Sequence, residues 1–358
     1  MEIRYETLDA CPICGSTQKI FLFKNTDRLH GIPGEFGLNR CINCMVYYLS
    51  PRPVLNSLPL YYPDDYVPHQ ISESTLNNST FRRIRDILRN TVLYERYHCR
   101  HINKKDTMPS GILRKTIVYL LFPLWKRARY GYPKHRLPPL IKEGKALDIG
   151  CGVGNYMLFL KKFGYEVHGV EPSKNAAKLG REKFGLDIRT GTLLEHTYPN
   201  DYFHFISMHQ VIEHLHNPVE VLKEIKRILH PEGNLFIWTP NMDSYGFQKF
   251  GKHWSELETP RHLILYSKFS LQYLSDIVGL KLKTLRTVSP TYGYPTYFSL
   301  LWSLEYETKY KNGIDTHGIQ DINTLLSKFN MRFFDLYEKM LILAGKPAGE
   351  DIWAVLAK

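Results

Sequence analysis

The chain has no long apolar run. The longest, IVYLLFPLW over Ile117–Trp125, is interrupted by Pro123 and falls well short of the roughly 20 residues needed to span a bilayer. The opening stretch MEIRYETLDA lacks the positively charged and apolar regions of a secretory signal peptide. Cysteine is scarce: six in 358 residues are too few for a disulfide scaffold. No internal repeat and no low-complexity segment appears. Together these absences predict a cytoplasmic globular protein, long enough for one sizeable α/β domain and something smaller.

Negative charge is also lacking, in one place above all. The formal net charge is +12. Between Phe81 and Ala146, 17 Lys/Arg face only 4 Asp/Glu, so this segment alone holds an excess of 13 and the rest of the chain sums to about −1. An anionic partner is expected to meet this segment first; the alternative is a solvated helical face. Within it, residues 111–131, GILRKTIVYLLFPLWKRARYG, set an apolar centre between Arg114, Lys115, Lys126, Arg127 and Arg129. That pattern suits peripheral contact with the inner face of a membrane, or equally a helix packed on a sheet.

The pattern separates four regions: 1–70, rich in Cys, Pro, Gly and Tyr; 71–140, basic and helical; 141–290, alternating strand-like and helix-like segments; and 291–358, a helical insertion followed by a last strand, GEDIWAVLAK. The alternation KALDIG, GNYMLFLKKFG, YEVHGVE, PSKNAAKLGREKFG, DIRT, FHFISM, NPVEVLKEIKRILHPEG, GNLFIWTP, SKFSLQYLSDIVG, LKLKTLRTV predicts a mostly parallel sheet with crossover helices. One helix start is punctuated by Asn217 as N-cap, Pro218 at N1 and Glu220 in the first turn.

Gly150, Gly152 and Gly154 lie where the first of these strands turns into a helix. Glycine there permits unusual dihedrals and leaves no Cβ in the way of a ligand. Asp148 sits just before the loop, and Glu171 lies 23 positions later at the end of the next strand, where an acid meets a ribose hydroxyl pair. A dinucleotide site places a pyrophosphate on the helix N-terminus, and Asp148 would repel it. A cationic ligand end, such as that of S-adenosylmethionine, would be attracted, so the charge favours S-adenosylmethionine over NAD.

Taken together, LDIGCGVGNY, VHGVEPS, FHFISMHQVIEHLHNP and GNLFIWTPN resemble the class I S-adenosylmethionine-dependent methyltransferases over residues 145 to about 290. The resemblance implies a Rossmann-like, doubly wound α/β fold with a mostly parallel seven-stranded sheet. It implies that Asp148 and the three glycines flank the amino-acid part of S-adenosylmethionine and that Glu171 binds its ribose. Thr192 and Leu193 should lie beside the adenine, although many relatives carry an acid where this chain has Thr192. His209 and Gln210 should face cofactor and acceptor.

Two CxxC pairs, Cys11/Cys14 and Cys41/Cys44, are separated by 26 residues. This is the spacing of a four-cysteine structural zinc site, which leaves no open coordination position; the alternative is four buried free thiols. The surrounding DRLHGIPGEFGLNRCINCMVYYLSPRP and YYPDDY resemble the zinc-binding front domain of methyltransferases in bacterial polysaccharide and sugar pathways. That resemblance implies a sugar or glycan acceptor, possible as a lipid-linked form. Tyr61, Tyr62 and Tyr66 either stack on a sugar or belong to the module's core.

Methyl transfer to a hydroxyl needs alignment and a proton acceptor, a task that suits histidine. The candidates are His209, His214, His216, His253 and His262. His262 lies in WSELETPRHLILYS, which resembles the corresponding segment of polysaccharide-cluster methyltransferases. The resemblance to sugar C-methyltransferases, where a similarly placed histidine acts near the acceptor, ranks it first, and His214, in VIEHL, ranks second. The alternative is that both are structural. Arg261 and Trp254 are candidates for orienting the acceptor. Two rival functions stand: a nucleic-acid methyltransferase, against which SMHQVIEHL replaces an NPPY-like segment, and a non-catalytic binding module.

Overall fold

The computed structural model describes residues 3–62, 80–96, 102–109, 138–139, 144–289 and 336–358, together with Gly111, Arg114, Thr116, Val118 and Ser299. Tyr66, most of the basic segment 111–131 and the bulk of the insertion after 290 lie outside the described residues. The chain forms two compact units. The first is Met1–Pro63 with Met208–Lys226 and Leu235–Lys358; the second is Asp64–Ser207 with Arg227–Asn234.

In chain order the elements begin with β1 (Tyr5–Glu6), β2 (Lys19–Asn25), β3 (Phe36–Cys41), β4 (Tyr47–Leu49) and β5 (Arg52–Pro53). The second unit adds α1 (Thr80–Arg96), β6 (Lys145–Ile149), α2 (Asn155–Lys162), β7 (Glu166–Glu171), α3 (Lys174–Phe184) and β8 (Asp187–Thr190). Then follow β9 (Phe203–His209), α4 (Pro218–Ile228), β10 (Leu229–Pro240), α5 (Tyr245–Phe250), β11 (Ile264–Leu265), α6 (Lys268–Val278), β12 (Lys281–Val288) and β13 (Asp351–Ala357).

The main sheet has seven strands in the order β12-β13-β10-β9-β6-β7-β8. β7 runs parallel to both β6 and β8, whereas β13 is antiparallel to β10 and β12. This is the Rossmann-like, mostly parallel sheet that the alternation predicts, and its last strand comes from the end of the chain. The helices begin and end where local chemistry dictates. Asn217 Oδ1 accepts from the Glu220 N–H at 3.3 Å as the N-cap of α4. Ser173 caps α3, and Gly185, at φ +59°, closes it in the left-handed region.

The cysteine-bearing strands do not form a sheet by themselves. A second sheet has the order β11-β4-β3-β2, in which Ile264 and Leu265 pair antiparallel with Tyr48 and Tyr47. Phe36, Leu38 and Tyr61 from the beginning of the chain share one apolar cluster with Met242, Trp254 and Leu265. The segment that carries PRHLILYS therefore completes the N-terminal sheet, within the first unit. Nothing in a two-residue strand announces itself in the sequence.

Candidate active site and cysteine cluster

The second unit holds the glycine loop. Gly150, Gly152 and Gly154 take φ of +67°, +54° and +87°, a region that costs a residue with a side chain about 1–2 kcal/mol. A Cβ on Gly154 would also come within 2.2 Å of Leu186 Cδ1, so the loop packs this closely only with glycine. Its Gly152 N–H donates to Glu171 Oε2 at 2.8 Å, and the Ser173 N–H donates to Glu171 Oε1 at 2.8 Å. Backbone donors thus fix the carboxylate at the end of β7, and each of its oxygens has two acceptor positions, as recognition of a hydroxyl pair requires.

Asp148 is buried at the end of β6, where its Oδ1 accepts from Ser207 Oγ at 2.7 Å. Burial pushes its carboxyl up to about 7, partly opposed by the Ser207 hydrogen bond, and the charge of Glu171 adds to the rise. A cationic group placed here would return it to the ionised form. The Gly191 N–H donates to the Glu171 carbonyl at 2.9 Å, which brings Thr192 and the buried Leu193 to the end of β7. Thr192 in turn anchors a carboxylate that sequence reasoning missed: its Oγ1 donates to Glu195 Oε1 at 2.7 Å and its N–H to the same oxygen at 3.1 Å. An S/T-x-x-E capping box is the sequence signal that marks this pair.

The first unit holds the histidines. β9 ends at His209, whose ring lies 5.2 Å from Phe236 and 5.7 Å from Trp238 between centroids. Gln210 takes φ +53°, its N–H donates to the Trp238 carbonyl at 2.8 Å and its Nε2 to Asp351 Oδ1 at 3.3 Å. The short 3-10 turn Ile212–His214 buries Glu213 completely and leaves His214 half-buried. Burial pushes the Glu213 carboxyl up to about 8, against the hydrogen bond that Thr239 Oγ1 donates to Oε2 at 2.9 Å.

His214 and His262 meet edge to face with ring centroids 4.7 Å apart. His214 Nδ1 lies 2.9 Å from the Arg261 carbonyl and 2.8 Å from the Tyr62 hydroxyl. His262 is buried, with Nδ1 at 2.7 Å from the Glu256 carbonyl and Nε2 at 3.6 Å from Glu258 Oε2. Burial lowers both rings below the ordinary histidine range, His214 to about 3. Both are therefore neutral at pH 7 and hold a lone pair each.

Arg261 and Trp254 do not fit the role of gripping an acceptor. Arg261 is fully buried: Nη2 and Nη1 donate to Asp27 Oδ1 and Oδ2 at 2.8 and 3.2 Å, Nη1 to the Tyr61 carbonyl at 3.0 Å, and Nε to Glu258 Oε1 at 2.9 Å. Trp254 is 1% exposed and its Nε1 donates to Glu350 Oε2 at 2.5 Å. Both hold the loop that presents His262. Tyr61 is core, its hydroxyl donating to the Pro33 carbonyl at 2.9 Å. His216 Nε2 bonds the Pro53 carbonyl at 2.9 Å, and His253 Nδ1 pairs with Arg28 at 2.5 Å. The sequence pattern did not reveal Asp27, which matters only through Arg261, or Glu258, which faces both Arg261 and His262.

Cys11, Cys14, Cys41 and Cys44 bring one sulfur each to within 4.8 Å of all the others. Cys11 and Cys44 Sγ are 3.5 Å apart, as are Cys14 and Cys41 Sγ. Tetrahedral zinc, with bonds of about 2.3 Å, separates its sulfurs by about 3.8 Å. The two knuckles are built alike. Cys11 N–H donates to the Ser16 carbonyl at 2.8 Å and Cys41 N–H to the Val46 carbonyl at 2.9 Å. Gly15 and Met45, the residues after the second cysteine of each pair, take φ of +72° and +58°. The hydrogen bond from Cys44 draws the Cys11 thiol down to about 5, while Cys44 itself is pushed up. Four sulfurs this close ionise together only around a cation. The donor set and the spacing fit zinc.

Residues 125–285 match the family model described as a methyltransferase domain. An uncharacterised methyltransferase of Schizosaccharomyces pombe is 33% identical over 106 residues, covering 26% of this chain and 38% of that protein. A ubiquinone biosynthesis O-methyltransferase of Bradyrhizobium diazoefficiens is 33% identical over 108 residues, covering 29% of this chain and 42% of that protein. This chain thus spans less than half the length of either relative. A crystal structure of a SAM-dependent methyltransferase from Archaeoglobus fulgidus aligns over 67% of this chain and 93% of its own, with 18% identity and a TM-score of 0.41.

Proposed function

We propose that this chain, whose residues 125–285 carry a methyltransferase domain, transfers a methyl group from S-adenosylmethionine to a hydroxyl of a sugar or glycan in cell-surface polysaccharide synthesis. The observation that carries the reading is the three-glycine loop with Asp148 before it and its Gly152 N–H bonded to Glu171. When bound, S-adenosylmethionine supplies an electrophilic methyl on a sulfonium. The residues of this chain do the rest. Asp148 attracts the cationic amino-acid end, the glycines admit the ligand close to the backbone, and Glu171 accepts from the ribose hydroxyls. Thr192, Leu193 and the Glu195 carboxylate flank the adenine.

On the acceptor side, His262 and His214 are the proton acceptors, each with Nδ1 held at a backbone carbonyl. The likeness of WSELETPRHLILYS to polysaccharide-cluster methyltransferases supports a sugar acceptor. The cysteine cluster binds a structural zinc and secures the sheet that β11 completes. Residues 111–131 lean on an anionic membrane surface, which suits a lipid-linked acceptor. A second reading, a phenolic hydroxyl, is favoured by the relative named for ubiquinone biosynthesis. Labelled S-adenosylmethionine incubated with lipid-linked glycan, quinone-precursor and nucleic-acid fractions separates them. Label in the glycan fraction supports the first reading; label confined to either of the others overturns it.

A further inference from the structure

Among the described residues of the first unit, a second group of ligand atoms converges besides the four sulfurs. Glu213, His214 and His262 contribute one atom each, all within 4.8 Å of one another. Hydrogen bonds decide which atoms these are. A carbonyl only accepts, so the Glu256 carbonyl beside His262 Nδ1 places the ring proton there. His214 Nδ1 lies beside the Arg261 carbonyl and the Tyr62 hydroxyl, and a proton on it serves the carbonyl while the hydroxyl oxygen, which can do either, accepts as well. Each Nε2 then carries a lone pair.

Glu213 completes the set. Its Oε2 accepts from Thr239, while its Oε1 is buried and receives no hydrogen bond among the described residues. His262 Nε2 faces this Oε1 at 4.0 Å and Glu258 Oε2 at 3.6 Å. A buried oxygen left without a hydrogen bond, as Glu213 Oε1 is among the described residues, costs about 1–3 kcal/mol, and a cation beside it removes that cost. Imidazoles whose other nitrogen donates to a backbone carbonyl are oriented as metal-bound histidines are. Glu258, held by Arg261 at 2.9 Å, supplies a further negative charge next to the group.

We infer that Glu213 Oε1, His214 Nε2 and His262 Nε2 form a binding site for one divalent transition-metal ion, separate from the cysteine cluster. Two imidazoles and a carboxylate suit zinc, cobalt, iron or manganese, while thiolates select zinc. Bonds of about 2.1 Å bring such ligand atoms to roughly 3–4 Å from one another, so the side chains need move only a little. The site stands on this geometry alone. Its use in lowering the pKa of an acceptor hydroxyl rests on the function proposed above; with the ion bound, the two Nε2 lone pairs hold the metal instead of accepting the hydroxyl proton.

The test uses the whole chain with zinc in its cysteine cluster, titrated with Co2+ and followed by visible absorption and metal analysis. The expected result is one Co2+ per chain beyond the zinc, with weak d–d bands and no thiolate charge-transfer band. Glu213→Gln, which keeps the size of the side chain, and His214→Ala, which removes a half-exposed ring, should each weaken that binding at least about a hundredfold while retaining zinc and native circular dichroism. A wild-type chain that binds no second ion overturns the inference, as does undiminished binding in either folded variant. Because metal is counted without methyl transfer, an inactive chain that still takes up Co2+ leaves this site standing, and an active chain that takes up none leaves the proposed function standing.

Discussion

Replacing Asp27 with Asn removes one half of a fully buried ion pair whose partner, Arg261, sits in the loop that carries Glu258 and His262. Both side chains are 0% exposed, and the carboxylate receives two guanidinium bonds at 2.8 and 3.2 Å as well as the N–H groups of Leu29, His30 and Ile32. Breaking such a pair from one side typically costs about 3–5 kcal/mol, because the other charge stays buried. For a unit of this size that is a fall in Tm of roughly 6–20 °C. The fall should be matched by a loss of turnover, since Arg261 no longer fixes Glu258 at 2.9 Å, and binding of S-adenosylmethionine should survive. The same pair predicts acid sensitivity. Burial pushes the Asp27 carboxyl up, but the bonds and charge of Arg261 outweigh it and hold the group below its ordinary 3.8. Its contribution is therefore complete above that pH and is lost as the pH falls below it. Differential scanning calorimetry of the wild type and Asp27→Asn at several pH values checks both points. A variant melting within about 2 °C of the wild type refutes the reasoning.

Three further outcomes are expected. His262→Ala should lower kcat by at least about a hundredfold with an unchanged Kd for S-adenosylmethionine; undiminished turnover removes His262 from the mechanism. Glu171→Gln presents an amide N–H to a backbone N–H donor, Gly152 or Ser173, and leaves a buried donor unmatched at about 1–3 kcal/mol. The Kd for S-adenosylmethionine, measured by fluorescence or calorimetry, should rise about 5- to 150-fold by the same figure. Removing zinc with a chelator should lower the circular dichroism of the first unit and melt the β11-β4-β3-β2 sheet, as metal-coupled folding requires; a spectrum indifferent to chelation contradicts a structural zinc.

The glycine loop and the two acids beside it were legible because their spacing is local. A strand, a glycine turn and an acid at the next strand's end are read from one contiguous stretch, and Gly150 to Glu171 adopt the arrangement that spacing suggests. The order of strands and helices was legible for the same reason: period and punctuation agree at Asn217, Ser173 and Gly185. What escaped was long-range. Asp27 and Arg261 are 234 positions apart, and only the fold turns an apparent acceptor-binding arginine into a buried brace. The two-residue β11 is too short for alternation to mark it, so the N-terminal module looked self-contained in the sequence when it shares a sheet and a core with the loop holding His262. Glu213 read as one letter of VIEHL, and its buried, unbonded oxygen has no signature in the sequence.

The most direct test of the account is isothermal titration of zinc-replete protein with S-adenosylmethionine and with its demethylated product. One site per chain, abolished or strongly weakened by Asp148→Asn and by Gly154→Ala, is the predicted result. Absence of heat with both ligands, or full affinity in both variants, contradicts it.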